Sequence, residues 1–146
     1  MILDVFFKNT HELDFFRLFC GVKLGAGMSR EVWTFGLDDK YVIKFEQQGF
    51  FQNVKEWELW KDAEHGPAAK WLAPCDRISE NGRILIMKRT VTASHRQYPS
   101  KMPAFLTDFK KENYGMLNGR LVCHDYGLSL VSNSGLTSRM KSVTWL

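Results

Sequence analysis

The sequence predicts an α+β fold: an antiparallel sheet and one main helix, with at least two more hairpins after the helix. Three observations predict it. The runs Glu31–Leu37 (EVWTFGL) and Tyr41–Phe45 (YVIKF) are rich in β-branched and aromatic residues, and Asp38-Asp39-Lys40 between them is turn chemistry. Gln52–Ala63 places Val54, Trp57 and Trp60 at i, i+3 and i+6 with Leu59 beside them, one apolar stripe of a helix. Two Asn-Gly pairs, Asn81-Gly82 and Asn118-Gly119, each separate short β-rich segments, the strongest short-range hairpin signal.

Taken in order, His11–Cys20 (HELDFFRLFC) carries Leu13, Phe15, Phe16, Leu18 and Phe19, which suits a short helix with a wide apolar face. Gly21 to Arg30 is a glycine-punctuated stretch, so the chain reads strand, glycine loop, strand, hairpin, strand. His65-Gly66-Pro67 ends the main helix. Cys75–Ser79 and Arg83–Lys88 form one hairpin, and Tyr114–Leu117 and Arg120–His124 another. Thr90–Pro103 contains Pro99, Pro103 and a polar run, and predicts a loop or one short helix. The Ser/Thr-rich tail from Ser132 is expected to fray, with Val143, Trp145 and Leu146 as residues able to dock.

The 146 residues suffice for one domain with a proper core. A hydrophobic fraction of 45% and a charged fraction of 25% exclude a disordered, collagenous or disulfide-dominated chain. The net charge of +4 shows no clustered basic run, so nucleic acid is not expected as a partner. Cys20, Cys75 and Cys123 form no C-x-x-C pair and predict free thiols in a reducing, cytoplasmic compartment. His11, His65, His95 and His124 lie in no metal-ligand spacing. No apolar run reaches the ~20 residues of a membrane span, and Met1–Thr10 does not read as a signal peptide.

The candidate chemistry begins at Leu24-Gly25-Ala26-Gly27-Met28-Ser29-Arg30. Gly25 and Gly27 between strands allow close backbone approach to a phosphate, or simply a tight hairpin. Lys44 sits inside an apolar strand; alternation puts it with Val42, opposite Tyr41, Ile43 and Phe45. A lysine there is either an exposed residue on a half-buried strand or one pointing into a cleft beneath the glycine loop, where it needs an acid. The following helix offers Glu56 and Glu58, and Glu56 is the preferred partner. Further on come Asp108-Phe109-Lys110-Lys111-Glu112-Asn113 and, twelve residues after Asn113, Asp125-Tyr126-Gly127.

These motifs resemble the eukaryotic-type protein kinase superfamily with its aminoglycoside-phosphotransferase-like relatives. The form Asp-x-Lys-x-x-Asn matches residues 108–113, and Asp125-Tyr126-Gly127 stands where that family has Asp-Phe-Gly. The resemblance covers about Leu24 to Gly127 and follows the family's order. It implies ATP and Mg²⁺ as cofactors. It implies Asp108 as the base toward a substrate hydroxyl, Lys110 on the transferred phosphoryl group, and Asn113 and Asp125 as Mg²⁺ ligands. Lys44, paired to Glu56, would hold the α/β-phosphates under the Gly25, Gly27 and Ser29 loop, with Met87 at the back of the adenine pocket and Lys88–Val91 as hinge. It also implies a single minimal domain over 1–146, a small lobe to about residue 90 and a strongly reduced large lobe after it.

The departures are specific. Leu106-Thr107 replace the usual His-Arg, so control by a phosphorylated activation loop is not expected. Ser29-Arg30 stand where the loop's third glycine would be. Only 17 residues, Val91–Thr107, run from the last hinge residue up to Asp108, and 19 follow Gly127, with no Ala-Pro-Glu motif. A peptide-docking platform is therefore not expected. Two functions follow. One is a minimal phosphotransferase acting on a protein Ser/Thr, on itself (Ser29 being a candidate, if not just an exposed loop serine) or on a small molecule. The other is a pseudokinase-type binding protein that holds nucleotide, or only keeps the fold, and acts by docking a partner, with exposed aromatic surface as the interface or as a homodimer contact.

Overall fold

The computed structural model describes residues 12–47, 49–127 and 135–146. The reading of Met1–Thr10, the helix start at His11 and the tail's start at Ser132 lie outside the described residues. The elements run α1 (Glu12–Phe19), β1 (Cys20–Ala26), β2 (Arg30–Phe35), β3 (Tyr41–Glu46), α2 (Gln52–Ala63), β4 (Cys75–Ile78), β5 (Ile84–Lys88), β6 (Lys101–Pro103), β7 (Tyr114–Leu117), β8 (Arg120–Cys123) and β9 (Met140–Ser142). Short 3-10 turns occupy Pro67–Trp71, His95–Gln97 and Lys111–Asn113. The fold is α+β: a five-stranded antiparallel sheet in the order β1-β2-β3-β5-β4, one main helix, and two-stranded sheets β6-β9 and β7-β8.

The chain divides into two compact units, 1–57 with 75–89 and 58–74 with 90–146. In the first, strand alternation decides the core. Ile43, Phe45, Ile84 and Ile86 face one side with Phe35, and Phe15 of α1 closes over them. Phe16 stacks on Phe45 at 4.5 Å and meets Trp33 edge-on at 5.3 Å, so aromatic rings carry the helix-to-sheet packing here. The other side of the same strands carries Val42, Lys44 and Glu46. The register sets Val32 opposite Lys44 and Arg30 opposite Glu46.

The stripe along α2 is shifted from the expected one. Val54, Trp57 and Trp60 are only half-buried; Leu59 is buried as expected, but it shares the buried line with Asn53, Glu56 and Ala63. The physical reason lies across the strands. A polar helix face is buried where the sheet supplies hydrogen-bonding and charged partners for it.

The two Asn-Gly pairs behave differently. Asn118 and Gly119 both have positive φ, 51° and 77°, the two-residue turn whose twist matches β7-β8. At Asn81-Gly82 only Gly82 is left-handed, and the loop is longer: Asn81 Oδ1 accepts from the Arg83 amide at 3.0 Å and the Ser79 hydroxyl at 3.1 Å.

In the second unit, Thr90–Pro103 holds both the expected short helical turn and a strand that the prolines concealed. β6 pairs with β9, so the tail is partly sheet. Trp145 packs edge-on against Tyr114 at 4.8 Å, as docking of that residue required. Residues 90 and 91 run against β7, with Val91 and Met116 exchanging backbone bonds of 2.9 and 2.7 Å. This approach is possible because residue 115 is glycine. A Cβ there would lie 2.4 Å from Thr90 Oγ1 and 2.9 Å from the Val91 carbonyl oxygen. Gly115→Ala is expected to destabilise the protein by about 1–3 kcal/mol through overpacking, read as a lowered denaturation midpoint.

Candidate functional site

The first group of polar residues lies in the first unit, on the α2 side of the sheet. Lys44, 3% exposed, comes from the middle of β3, and Glu56, fully buried, from α2. The Lys44 ammonium donates to the two Glu56 carboxylate oxygens at 2.9 and 3.1 Å. Glu56 is thus the acid that meets Lys44, and Glu58 is exposed.

Arg30, which the sequence left in the glycine loop, is the first residue of β2 and approaches the same carboxylate. Its guanidinium donates to Glu56 Oε2 at 2.8 Å and Oε1 at 2.9 Å, the two-pronged geometry that suits a planar fork. Asn53 completes the group. Its Oδ1 accepts from Arg30 at 3.1 Å, and its Nδ2 donates to the Lys44 and Arg83 carbonyls, both at 3.0 Å. Its backbone N–H donates to the Glu46 carboxylate at 2.9 Å. Arg30 and Asn53 were missed because each looks ordinary in sequence. The available signal was alternation: Arg30, Val32 and Thr34 must share a face, and register with β3 makes it the Lys44 face.

Burial alone would raise the carboxyl of Glu56. The charges of Arg30 and Lys44, and the hydrogen bonds they donate, outweigh it and hold the carboxyl down to about 2.

The glycine loop is built differently from the expectation of amides aimed at a ligand. The Gly27 N–H donates to the Arg30 carbonyl at 2.8 Å, closing the turn. Neither Gly25 nor Gly27 has positive φ, and a Cβ on either meets nothing within 4 Å. The fold itself therefore does not require glycine at these two positions. Ser29 is not an exposed loop hydroxyl; it is 8% exposed and donates to Gln52 Oε1 at 2.9 Å. Met87 is fully buried in β5 opposite Val42.

The second group lies in the other unit, on the loop before β7 and just after β8. The Asp108 carboxylate is 39% exposed; it accepts a long 3.4 Å bond from the Lys110 amide and stands 3.9 Å from the Lys110 ammonium, itself 62% exposed. The Lys110 carbonyl accepts from the Asn113 amide at 3.0 Å. The Asn113 carbonyl accepts from the His124 amide at 2.8 Å, which sets Asn113 beside the segment that carries Asp125. Asn113 and Asp125 thus leave neighbouring stretches of backbone, and both offer hard oxygen donors.

His124 is the residue here that sequence reasoning missed, having looked only for metal spacing. Its Nε2 bonds the Glu112 carbonyl at 2.7 Å, which places the proton on that nitrogen. Nδ1 then accepts from the Thr90 hydroxyl at 2.7 Å. The imidazole ties the end of the loop at Glu112 to Thr90, and Gly115 is what lets Thr90 come close enough.

Tyr114 faces Cys123 in the β7-β8 register, and its buried hydroxyl lies beside the Cys123 thiol, a weak hydrogen-bonding group. Burial, then Cys123 and Asp108, push its ionisation above the usual tyrosine range. Tyr114→Phe is expected to change stability by no more than about 1 kcal/mol, since the buried hydroxyl has only a weak thiol beside it to offset its desolvation; thermal melting checks this.

Among the described residues no three His, Cys, Asp or Glu side chains form a metal cluster, and no helix is long and apolar enough to cross a membrane. Mg²⁺ fits the donor chemistry present, because it is commonly held by one or two protein oxygens together with phosphate and water. In comparisons with known proteins, the chain matches no family model and no curated protein.

Proposed function

We propose that this chain is a minimal kinase-like protein that binds ATP with Mg²⁺ and transfers a phosphoryl group to a protein Ser/Thr, to itself or to a small molecule, in the cytoplasm. The observation that carries the proposal is the buried Lys44–Glu56 ion pair between a central strand and the main helix. An ammonium inside a sheet is costly to bury, and a carboxylate held for it across twelve residues is how a phosphate-binding lysine is kept oriented.

In this reading Lys44 meets the α/β-phosphates and Glu56 orients it. Asn113 and Asp125 hold Mg²⁺, which supplies charge neutralisation on the phosphate oxygens. Asp108 accepts the proton of the attacking hydroxyl, and Lys110 balances charge on the transferred group. The glycines fit as well, since open space over Gly25 and Gly27 leaves room for a ligand's close approach. Gly25→Ala and Gly27→Ala are expected to melt like the wild type but lose ATP-dependent thermal stabilisation.

One observation favours a second reading, a kinase-like binding module without transfer. Lys44 is 3% exposed and Glu56 is shared with Arg30, so the lysine is held in a saturated pair. The two readings separate on incubation with labelled ATP and Mg²⁺, beside a thermal melt and the variant Asp125→Ala. Nucleotide stabilisation with label transfer, both lost in Asp125→Ala, supports the enzyme. Stabilisation without transfer leaves the binding module, and no stabilisation defeats both.

A further inference from the structure

The loop that carries Asp108, Lys110 and Asn113 is fastened by residues far along the chain. The Leu146 amide donates to the Phe109 carbonyl, and the Lys111 amide donates to the Leu146 carbonyl, each at 3.1 Å. These two bonds bracket Lys110. Lys110 is also the link inside the loop, its amide on Asp108 and its carbonyl on the Asn113 amide.

Trp145 adds a side-chain wedge. Its ring lies edge-on to Phe109 at 5.5 Å and to Tyr114 at 4.8 Å, and packs on Tyr98 at 4.9 Å. Its indole N–H donates to the Pro99 carbonyl at 2.7 Å. Pairing of β9 with β6, continued by the Val143 amide on the Ser100 carbonyl at 3.0 Å, delivers this segment to the loop. The Lys141 ammonium sits 5.1 Å from the Phe109 ring centre.

We propose that Trp145 and Leu146 are positioning residues, which act through Phe109 and Lys111 to hold the Asp108–Asn113 loop in its working conformation. This rests on the kinase-like reading for what the loop does, but not for how it is held. A loop of 3-10 and irregular backbone has little internal cooperativity, so its order comes from such outside contacts. Partners one step removed from metal ligands typically change metal affinity about 10- to 100-fold when lost.

The test uses the full chain and the variants Trp145→Ala, Trp145→Phe and Leu146→Pro. Amide hydrogen exchange is followed over residues 107–113, and uptake of Mn²⁺ with ATP by electron paramagnetic resonance, Mn²⁺ serving as the probe for Mg²⁺. Trp145→Ala and Leu146→Pro are expected to speed exchange in the loop about tenfold or more while β2, β3 and β5 stay protected. Mn²⁺ affinity should fall about 10- to 100-fold. Trp145→Phe, which keeps a ring, should restore most of both.

Unchanged loop exchange in Trp145→Ala and Leu146→Pro overturns the proposal. So does a loosened loop with wild-type Mn²⁺ affinity. A variant that unfolds globally loses protection in the first unit too, and Trp145→Phe then carries the test through its partial shift. A wild type that takes up no Mn²⁺ with ATP defeats the kinase-like reading instead, and the fastening then stands or falls on loop exchange.

Discussion

Glu56→Gln is expected to lower the free energy of unfolding by about 3–5 kcal/mol, the usual effect of removing one partner from a buried ion pair. The substitution keeps the shape but leaves Arg30 and Lys44 buried without the carboxylate that both contact at 2.8–3.1 Å. Against a typical stability of about 5–15 kcal/mol this is a large fraction. Urea unfolding measures it directly, and a midpoint close to wild type would refute the assignment.

Lys44→Met makes the control. It leaves Glu56 still paired twice to Arg30, so its cost in stability should be clearly smaller, while the ATP-dependent stabilisation that the proposed function requires should be absent. The same carboxylate sets an acid limb. Its folded value, about 2, lies below the ordinary 4.5, so its stabilising contribution is complete above about pH 5 and is lost as pH falls from there toward 2. In Glu56→Gln the wild-type part of that acid dependence should vanish.

If the proposed phosphoryl transfer operates, Asp108→Asn reduces it about 10²–10⁴-fold, the range for a positioned general base, with little change in stability. The structural reason is that Asp108 contributes almost nothing to the fold. Its carboxylate is 39% exposed, and its contacts with Lys110 are a 3.4 Å hydrogen bond and a 3.9 Å ion pair. A carboxylate so weakly engaged is available to a substrate hydroxyl. Single-turnover label transfer beside a thermal melt checks both halves. Full transfer by Asp108→Asn would remove the residue from the mechanism, and a large loss of melting temperature would mean that its role is structural.

The pair Glu56 and Asp108 also shows how much was legible. The alternation of Tyr41–Phe45 and the helical span Gln52–Ala63 make Lys44 and Glu56 candidate partners from sequence alone, and the structure joins them. The local order of strands and turns was likewise readable, because hairpin and helix signals act over a few residues. The helix stripe was read wrongly in part, for an instructive reason. Apolar spacing selected Val54, Trp57 and Trp60 with Leu59 beside them; Leu59 is buried as read, whereas the rest of the buried line holds Asn53 and Glu56, polar groups admitted because Arg30 and Lys44 are on the facing strands.

Strand β6 was hidden for the converse reason. Three residues with a proline carry no signal, and β6 exists only because β9, far along the chain, pairs with it. The bracing of the Asp108–Asn113 loop by His124, Thr90 and Leu146 belongs to the same class. By itself the sequence determined the α+β class, the main helix, the hairpins and the candidate pair Lys44–Glu56, since period and turn chemistry are local properties. Only the tertiary structure decided that Arg30 and Asn53 share the buried carboxylate, that Ser29 is enclosed and that residues 145–146 fasten the loop. Contacts between distant segments depend on register and packing, and neither is written in any short stretch of sequence.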